Sequence, residues 1–194
     1  EVIENSLIIL EDGKILTIED ASKIRIDISD AEYYDLIGKD VYPGFILPNT
    51  TLGLADIDAV RATRDFDEVG NMLPHVRSII AYNAESKVVE SLRMNGILMS
   101  DTSPRGGTIS GTSSVVQLDA WNWEDAAVKM DNGIHINWPG SFTSGRWWLG
   151  EDPALKPDKN YPKNVQNIKD YFTNAKRYLA VDKSKKDLPF EATK

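Results

Sequence analysis

The sequence contains no cysteine and only two histidines, and its 22 basic residues are outnumbered by 30 acidic ones. Without cysteine, disulfide frameworks, thiolate metal sites and cysteine nucleophiles are excluded. His75 and His135 lie in unrelated segments, so no zinc motif of the usual spacing can be written. A formal net charge of −8 repels phosphate backbones, and nucleic acid is not an expected partner. Lys183, Lys185 and Lys186 read as a solvated stretch rather than a binding patch. No apolar run approaches the roughly 20 residues that span a bilayer, so no transmembrane segment is expected. The chain opens at Glu1 with neither Met nor a signal-like apolar segment, which reads as a processed or excised product.

What is present suffices for a folded domain. The chain has 194 residues, 41% hydrophobic and 27% charged, an ordinary balance for a buried core. The first forty residues are β-rich. "SLIILEDGKILTI" sets two apolar runs around Asp12-Gly13, a two-residue hairpin signal. "SKIRIDIS" alternates Ile24, Ile26 and Ile28 with polar residues and predicts a half-buried strand. "EYYDLIGKDVYPGFILP" predicts two more strands, separated by a turn at Gly38, the second broken at Pro43-Gly44.

Beyond residue 55 the pattern changes. "VRSIIAYNAESKVVESLRMNG" predicts a helix with Val88, Val89 and Leu92 on one face and Gly96 as its stop. "ILMS", "SSVVQLD" and "IHINWP" read as strands, and "WEDAAVKMDNG" as a short helix ending at Gly133. Val165, Ile168, Phe172, Ala175 and Leu179 mark an amphipathic helix in "YPKNVQNIKDYFTNAKRYLAV". Alternating strands and helices predict βα units with a parallel sheet. The polar, proline-rich stretch at 140–163 predicts a long loop.

A β unit, then Gly38-Lys39-Asp40-Val41-Tyr42-Pro43-Gly44-Phe45-Ile46, then βα alternation resembles the amidohydrolase superfamily, in its imidazolonepropionase-like branch. That family's segment runs G-K-x-V-x-P-G-F-I-D-x-H-x-H. The likeness extends through "LGLADIDAVRATRDFDEVG" and on from "RMNGILMS" to "GIHINWP", near residue 139. It implies an α/β chain in which 1–42 form part of a small β-sandwich. Residues 43–194 would be the first βα units of a TIM-like (β/α)₈ barrel, left incomplete.

In the family an H-x-H pair holds a divalent ion, which activates water for hydrolysis of a C–N bond. Residues two apart on a strand face the same side, which is why that spacing suits one ion. Here Asn49 and Thr51 occupy the two histidine positions and Leu47 the position of the preceding aspartate. Neither an amide nor a neutral hydroxyl replaces imidazole on a transition metal, so no metal is expected at Asn49 or Thr51. Asn49-Thr50-Thr51 also matches a glycosylation acceptor, which by itself means little.

A complete barrel takes about 250 residues, and this chain has room for about three βα units. The resemblance places the remaining ligands, a lysine, two histidines and an aspartate, on later strands. A zinc-like divalent metal would therefore belong to the complete protein only. The expected partner is the remaining half of the barrel, in the same protein or as a separate chain, within a homo-oligomer or a larger complex. Family members with this motif loss suggest a periplasmic or outer-surface location, with the cytoplasm left open. The alternative to a hydrolase acting on a cyclic amide or peptide-like substrate is a pseudoenzyme used as a binding or assembly module.

Other constellations are weaker. "GGTISGTS" spaces Gly106 and Gly111 like a phosphate loop, but Thr112 stands where lysine belongs and a strand follows. A flexible, substrate-contacting loop is the better reading, with Arg105, Gly106, Gly107 and His135 as candidates. His135 alternates with Ile134 and Ile136 and is expected to face away from what they bury; a structural role is favoured. His75 follows Pro74 as a capping or surface residue. Five tryptophans lie between 121 and 148, and Trp147-Trp148 reads as the anchor of an irregular loop. No Ser-His-Asp arrangement can be proposed, and Asp56, Asp58, Glu68 and Glu124 have no spacing that marks an acid–base pair.

Overall fold

The computed structural model describes residues 2–27 and 29–181; Lys183, Lys185 and Lys186 lie outside them, as does Ile28. The chain divides into two compact units, Glu1–Tyr42 and Pro43–Lys194. It is a mixed α/β protein.

In the first unit, β1 (Ser6–Glu11) and β2 (Lys14–Asp20) form an antiparallel hairpin. Asp12 and Gly13 both take positive φ, 49° and 71°, the turn that matches strand twist. The carboxylate of Asp20 then accepts from the backbone N and Oγ of Ser22 at 3.0 and 2.7 Å, turning the chain out of the ladder. These bonds, aided by Lys23, hold its carboxyl down to about 2. Over 22–29 and 32–36, where strands are predicted, the described residues form none and run irregularly. Alternation alone does not make a strand when no neighbour takes up its backbone hydrogen bonds. Local carboxylates compete instead, Asp27 accepting from the Ser29 amide and Asp35 from that of Ile37.

The second unit is built on a four-stranded sheet. Its strands are β3 (Phe45–Thr50), β4 (Ile97–Thr102), β5 (Ile109–Gln117) and β6 (Ala127–Ile136), in that spatial order. β3 and β4 are parallel, whereas β4–β5 and β5–β6 are antiparallel. The expectation of an all-parallel sheet is thus corrected: one parallel pair carries two antiparallel neighbours. The connection from β3 to β4 holds α1 (Lys87–Met94), capped by Ser86 Oγ, which accepts from the Val88 amide.

The helix predicted from residue 76 is divided. A 3₁₀ turn covers Ser78–Ala81, and α1 starts only at Lys87. Between them Asn83 Oδ1 accepts from the Glu85 amide, a local turn that competes with helix continuation. Val89 is buried and Leu92 packs against the core, but Val88 points outward. The core gathers Leu52, Ile79, Tyr82, Val89, Val116, Leu118 and Ala126.

The helix predicted to run to Gly133 is a single turn, α2 (Trp123–Ala126), capped by Asn122 Oδ1 on the Asp125 amide. The chain then passes straight into β6, because pairing with β5 overrides the modest helix propensity of "AVKMD". Ile134 and Ile136 on β6 are exposed, correcting the expectation that they are buried. Opposite Ser114, β6 carries three residues, Met130–Asn132, and Asp131 takes φ 52°. This bulge is fastened from three sides. Arg77 donates Nε and Nη2 to the Asp131 carboxylate at 2.8 and 2.9 Å, Thr112 Oγ1 donates at 3.0 Å, and the Asp131 amide donates to Ser114 Oγ.

The stretch 140–163 is largely irregular, with a two-residue pairing of β7 (Phe142–Thr143) and β8 (Lys156–Pro157). Trp147 and Trp148 meet edge to face at 6.1 Å and stay mostly exposed, so they do not anchor this loop as expected. α3 (Tyr161–Leu179) follows with Ile168 buried, while Phe172 and Leu179 are exposed.

Two stability predictions follow from this packing. The Tyr82 ring is buried, its hydroxyl has no partner among the described residues, and burial pushes its ionisation up to about 12. An unfolded tyrosine ionises near 10, so the stability due to neutral Tyr82 is complete below about pH 10 and is lost as pH rises towards 12. Tyr82→Phe is expected to raise stability at neutral pH by about 1 kcal/mol and to remove that alkaline loss, as read by urea unfolding. The Arg77 hydrogen bonds hold the Asp131 carboxyl below the usual carboxylate range, with help from Thr112. That contribution is present above about pH 4 and is lost as pH falls through the lower folded value. Asp131→Asn is expected to lower the melting temperature slightly at neutral pH and to flatten its acid decline, since exposed pairs contribute about 1 kcal/mol or less.

Candidate functional site

The C-terminal ends of the parallel pair β3–β4 form the best-defined polar constellation. Ligand sites in sheets with parallel strands gather at such ends. Thr50 pairs with Thr102, and the Ser103 amide donates to Thr50 O at 2.7 Å. Thr102 Oγ1 donates to Leu52 O at 3.1 Å and lies 3.1 Å from Ser100 Oγ, while Ser78 Oγ donates to Thr102 O at 2.7 Å. All three hydroxyl side chains are buried, and all their oxygens are engaged.

Above this hydroxyl cluster β3 is irregular. Its register slips between Leu47 and Thr50, and Asn49 takes φ 48°. Asn49 therefore sits in a bulge, and Thr51 lies beyond the last strand residue. Positions 49 and 51 would share a face only on a regular strand, which the bulge interrupts.

Arg105 holds this bulge. Its Nη1 donates to Asn49 Oδ1 at 2.8 Å and its Nη2 to Asn49 O at 2.7 Å. Its own amide donates to Phe66 O at 2.6 Å. Gly106 and Gly107 follow with φ 84° and 57°. A Cβ on Gly107 would stand 2.9 Å from Asn71 O, so this close approach requires glycine.

The loop was expected to be flexible; it is instead tied at several points. Asn137 Nδ2 donates to Gly107 O, Gly106 O and Ser110 Oγ at 2.8, 3.2 and 3.0 Å. Asn71 Oδ1 accepts from the Thr108 amide and hydroxyl. Asn71, Ser110 and Asn137 were not singled out from sequence. Single polar residues that bond backbone at long range leave no periodic signal.

The other candidates lie apart from this clamp. His135 is half-buried on β6 opposite Gly111 and makes no side-chain hydrogen bond or ion pair among the described residues. His75 is exposed and lines an open groove of about 350 Å³ together with Asp65, Asp67, Glu68, Arg77 and Pro104. Asp67 is paired with Arg61 and Arg77 with Asp131, so two of these four charged side chains are already committed to neighbours. Asp56 accepts from Asn83, and Glu124 opens α2.

The donor set at the β3 end does not suit a transition metal. Its one amide oxygen already accepts from a guanidinium, and its other groups are neutral hydroxyls. No cluster of three or more His, Asp or Glu residues able to hold an ion occurs among the described residues. Likewise, no described helix is long and apolar enough to cross a membrane.

No known protein family profile matches this chain, and no curated protein matches it. Among solved structures, it is similar to the crystal structure of an amidohydrolase from Thermotoga maritima MSB8, with a TM-score of 0.72 at 22% identity. The match covers 96% of this chain and 48% of that one, so the chain spans about half the length of the structure whose fold it shares.

Proposed function

We propose that this chain is the N-terminal part of an amidohydrolase-like protein that hydrolyses C–N bonds in a cyclic amide or peptide-like substrate. The observation that carries this reading is the fold shared along nearly the whole chain with about half of an amidohydrolase. In this reading the first unit belongs to a small β-sandwich and the second begins a barrel. Any divalent metal would be held by strands that follow, since the β3 end carries the wrong donors. The chain by itself then has no catalytic centre, and its role is to shape one side of the site.

Exposed apolar residues support a covering partner. Phe45, Ile46 and Leu98 on β3 and β4, and Val128, Met130 and Ile134 on β6, are all half-exposed or more. β3 and β6 are also the edges of the sheet, with unpaired ladder groups. The second half of the barrel is the occupant this reading supplies. A periplasmic or outer-surface location belongs to the same proposal.

One observation favours the second reading, a pseudoenzyme serving as a binding module. The Arg105 guanidinium is bonded directly to the residue standing at a family metal-ligand position. A fixed positive charge there opposes a divalent cation by like-charge repulsion.

Both readings expect this chain alone to be inactive. Incubated with zinc or manganese and a panel of cyclic amides and imidazolones, it should release no ring-opened product above background. Metal analysis after dialysis should find no stoichiometric ion. Turnover by the isolated chain, lost on chelation, overturns the assignment of the catalytic centre to later strands. Metal-dependent turnover by a longer form containing the following strands favours the hydrolase over the pseudoenzyme.

A further inference from the structure

We propose that the clamped Arg105, with the adjacent amides of Gly106 and Gly107, is a receptor for a single carboxylate at the end of the β3–β4 pair. The inference stands on local geometry and does not depend on whether the complete protein hydrolyses anything.

Arg77, Arg93 and Arg146 each pair with a carboxylate within the chain, and Arg61 pairs with Asp67. Arg25, Arg64, Arg105 and Arg177 have no carboxylate partner among the described residues, and of these Arg105 is the one held by two side-chain hydrogen bonds to another residue. Its two hydrogen bonds go to neutral acceptors on one residue, Asn49 Oδ1 and Asn49 O. A guanidinium has five N–H donors, so three remain without a partner among the described residues. The side chain is only half-buried, and solvent or solute reaches it. Neutral acceptors fix its position without cancelling its charge, which is what a preorganised anion receptor needs.

The neighbouring backbone also leaves donors unspent. The amides of Arg105, Thr108 and Ile109 are spent on Phe66 O and Asn71 O, whereas those of Gly106 and Gly107 donate to nothing described. Both glycines are exposed, and Asn137 holds the Gly106 carbonyl, which fixes the peptide plane that carries the Gly107 N–H.

A nearby acidic group narrows the ligand class. Asp67 lies against Gly106, whereas the Asp101 carboxylate on β4 is turned to Asn132. A dianionic phosphate meets more repulsion there than a carboxylate with one charge, and the planar guanidinium fork matches two coplanar oxygens. The favoured ligand is therefore a small monocarboxylate.

The test titrates the isotope-labelled chain with N-acetylglycine at neutral pH and follows the amide signals of Gly106 and Gly107 and the Arg105 Nε–H by NMR. A saturable shift confined to these groups is expected. The uncharged N-acetylglycinamide should bind about tenfold more weakly or not at all. Arg105→Lys keeps the charge but not the fork and should also weaken binding about tenfold, with its spectrum reporting whether the fold is intact. The ligand pair decides without relying on any variant. Equal shifts from acid and amide, shifts spread elsewhere, or tighter binding of inorganic phosphate than of N-acetylglycine would each overturn the assignment.

Discussion

Thr102 is the residue on which the second unit turns. Its hydroxyl reaches Leu52 O beyond the end of β3, its carbonyl receives Ser78 Oγ from the segment before α1, and Ser100 lies beside it. Three stretches distant in sequence are thereby joined through one buried side chain and its own backbone. A buried hydroxyl left unpaired costs more than a satisfied one contributes, so these groups hold one another in a single arrangement. The strand end above them, with its bulge and its arginine, inherits that fixity.

Two further positions are held by side chains from afar. Asn49 and Asp131 both adopt left-handed backbone in strands, where an ordinary residue is disfavoured. Asparagine and aspartate tolerate this conformation better than most, and here each is also held by an arginine from a distant loop. The arginines differ in their partners. Arg77 meets a carboxylate and is neutralised, whereas Arg105 meets an amide and keeps its charge. The sheet is thus pinned in one place by a structural ion pair and in another by a cation with no carboxylate partner among the described residues.

The sequence made some of this legible and left much hidden. The Asp12-Gly13 hairpin, the start of β4 at Ile97, the strand through Val115-Val116 and the long helix α3 all announce themselves through local patterns. The run through Ala127-Val128 did not, because its residues suit a helix and only pairing with β5 makes them a strand. Ile24 and Ile26 alternate correctly yet find no neighbouring strand. At the site, Arg105 and the two glycines were legible as an unusual cluster. Their fasteners were not, since Asn71 and Asn137 act across 30 or more residues through side-chain amides. The bulge at Asn49 was equally invisible, as it arises from a slip in register rather than from residue type.

The hydroxyl-rich interior also bears on how the fold responds to temperature. Eight buried serine and threonine residues stand beside eleven buried apolar ones among the described residues. Exposing polar surface lowers the heat capacity of unfolding, whereas exposing hydrocarbon raises it. An interior of this composition opens with a smaller heat-capacity increment than one of the same size built from leucine and isoleucine. Its free energy therefore changes gently with temperature, along a broad and shallow curve whose cold side falls off as slowly as its warm side.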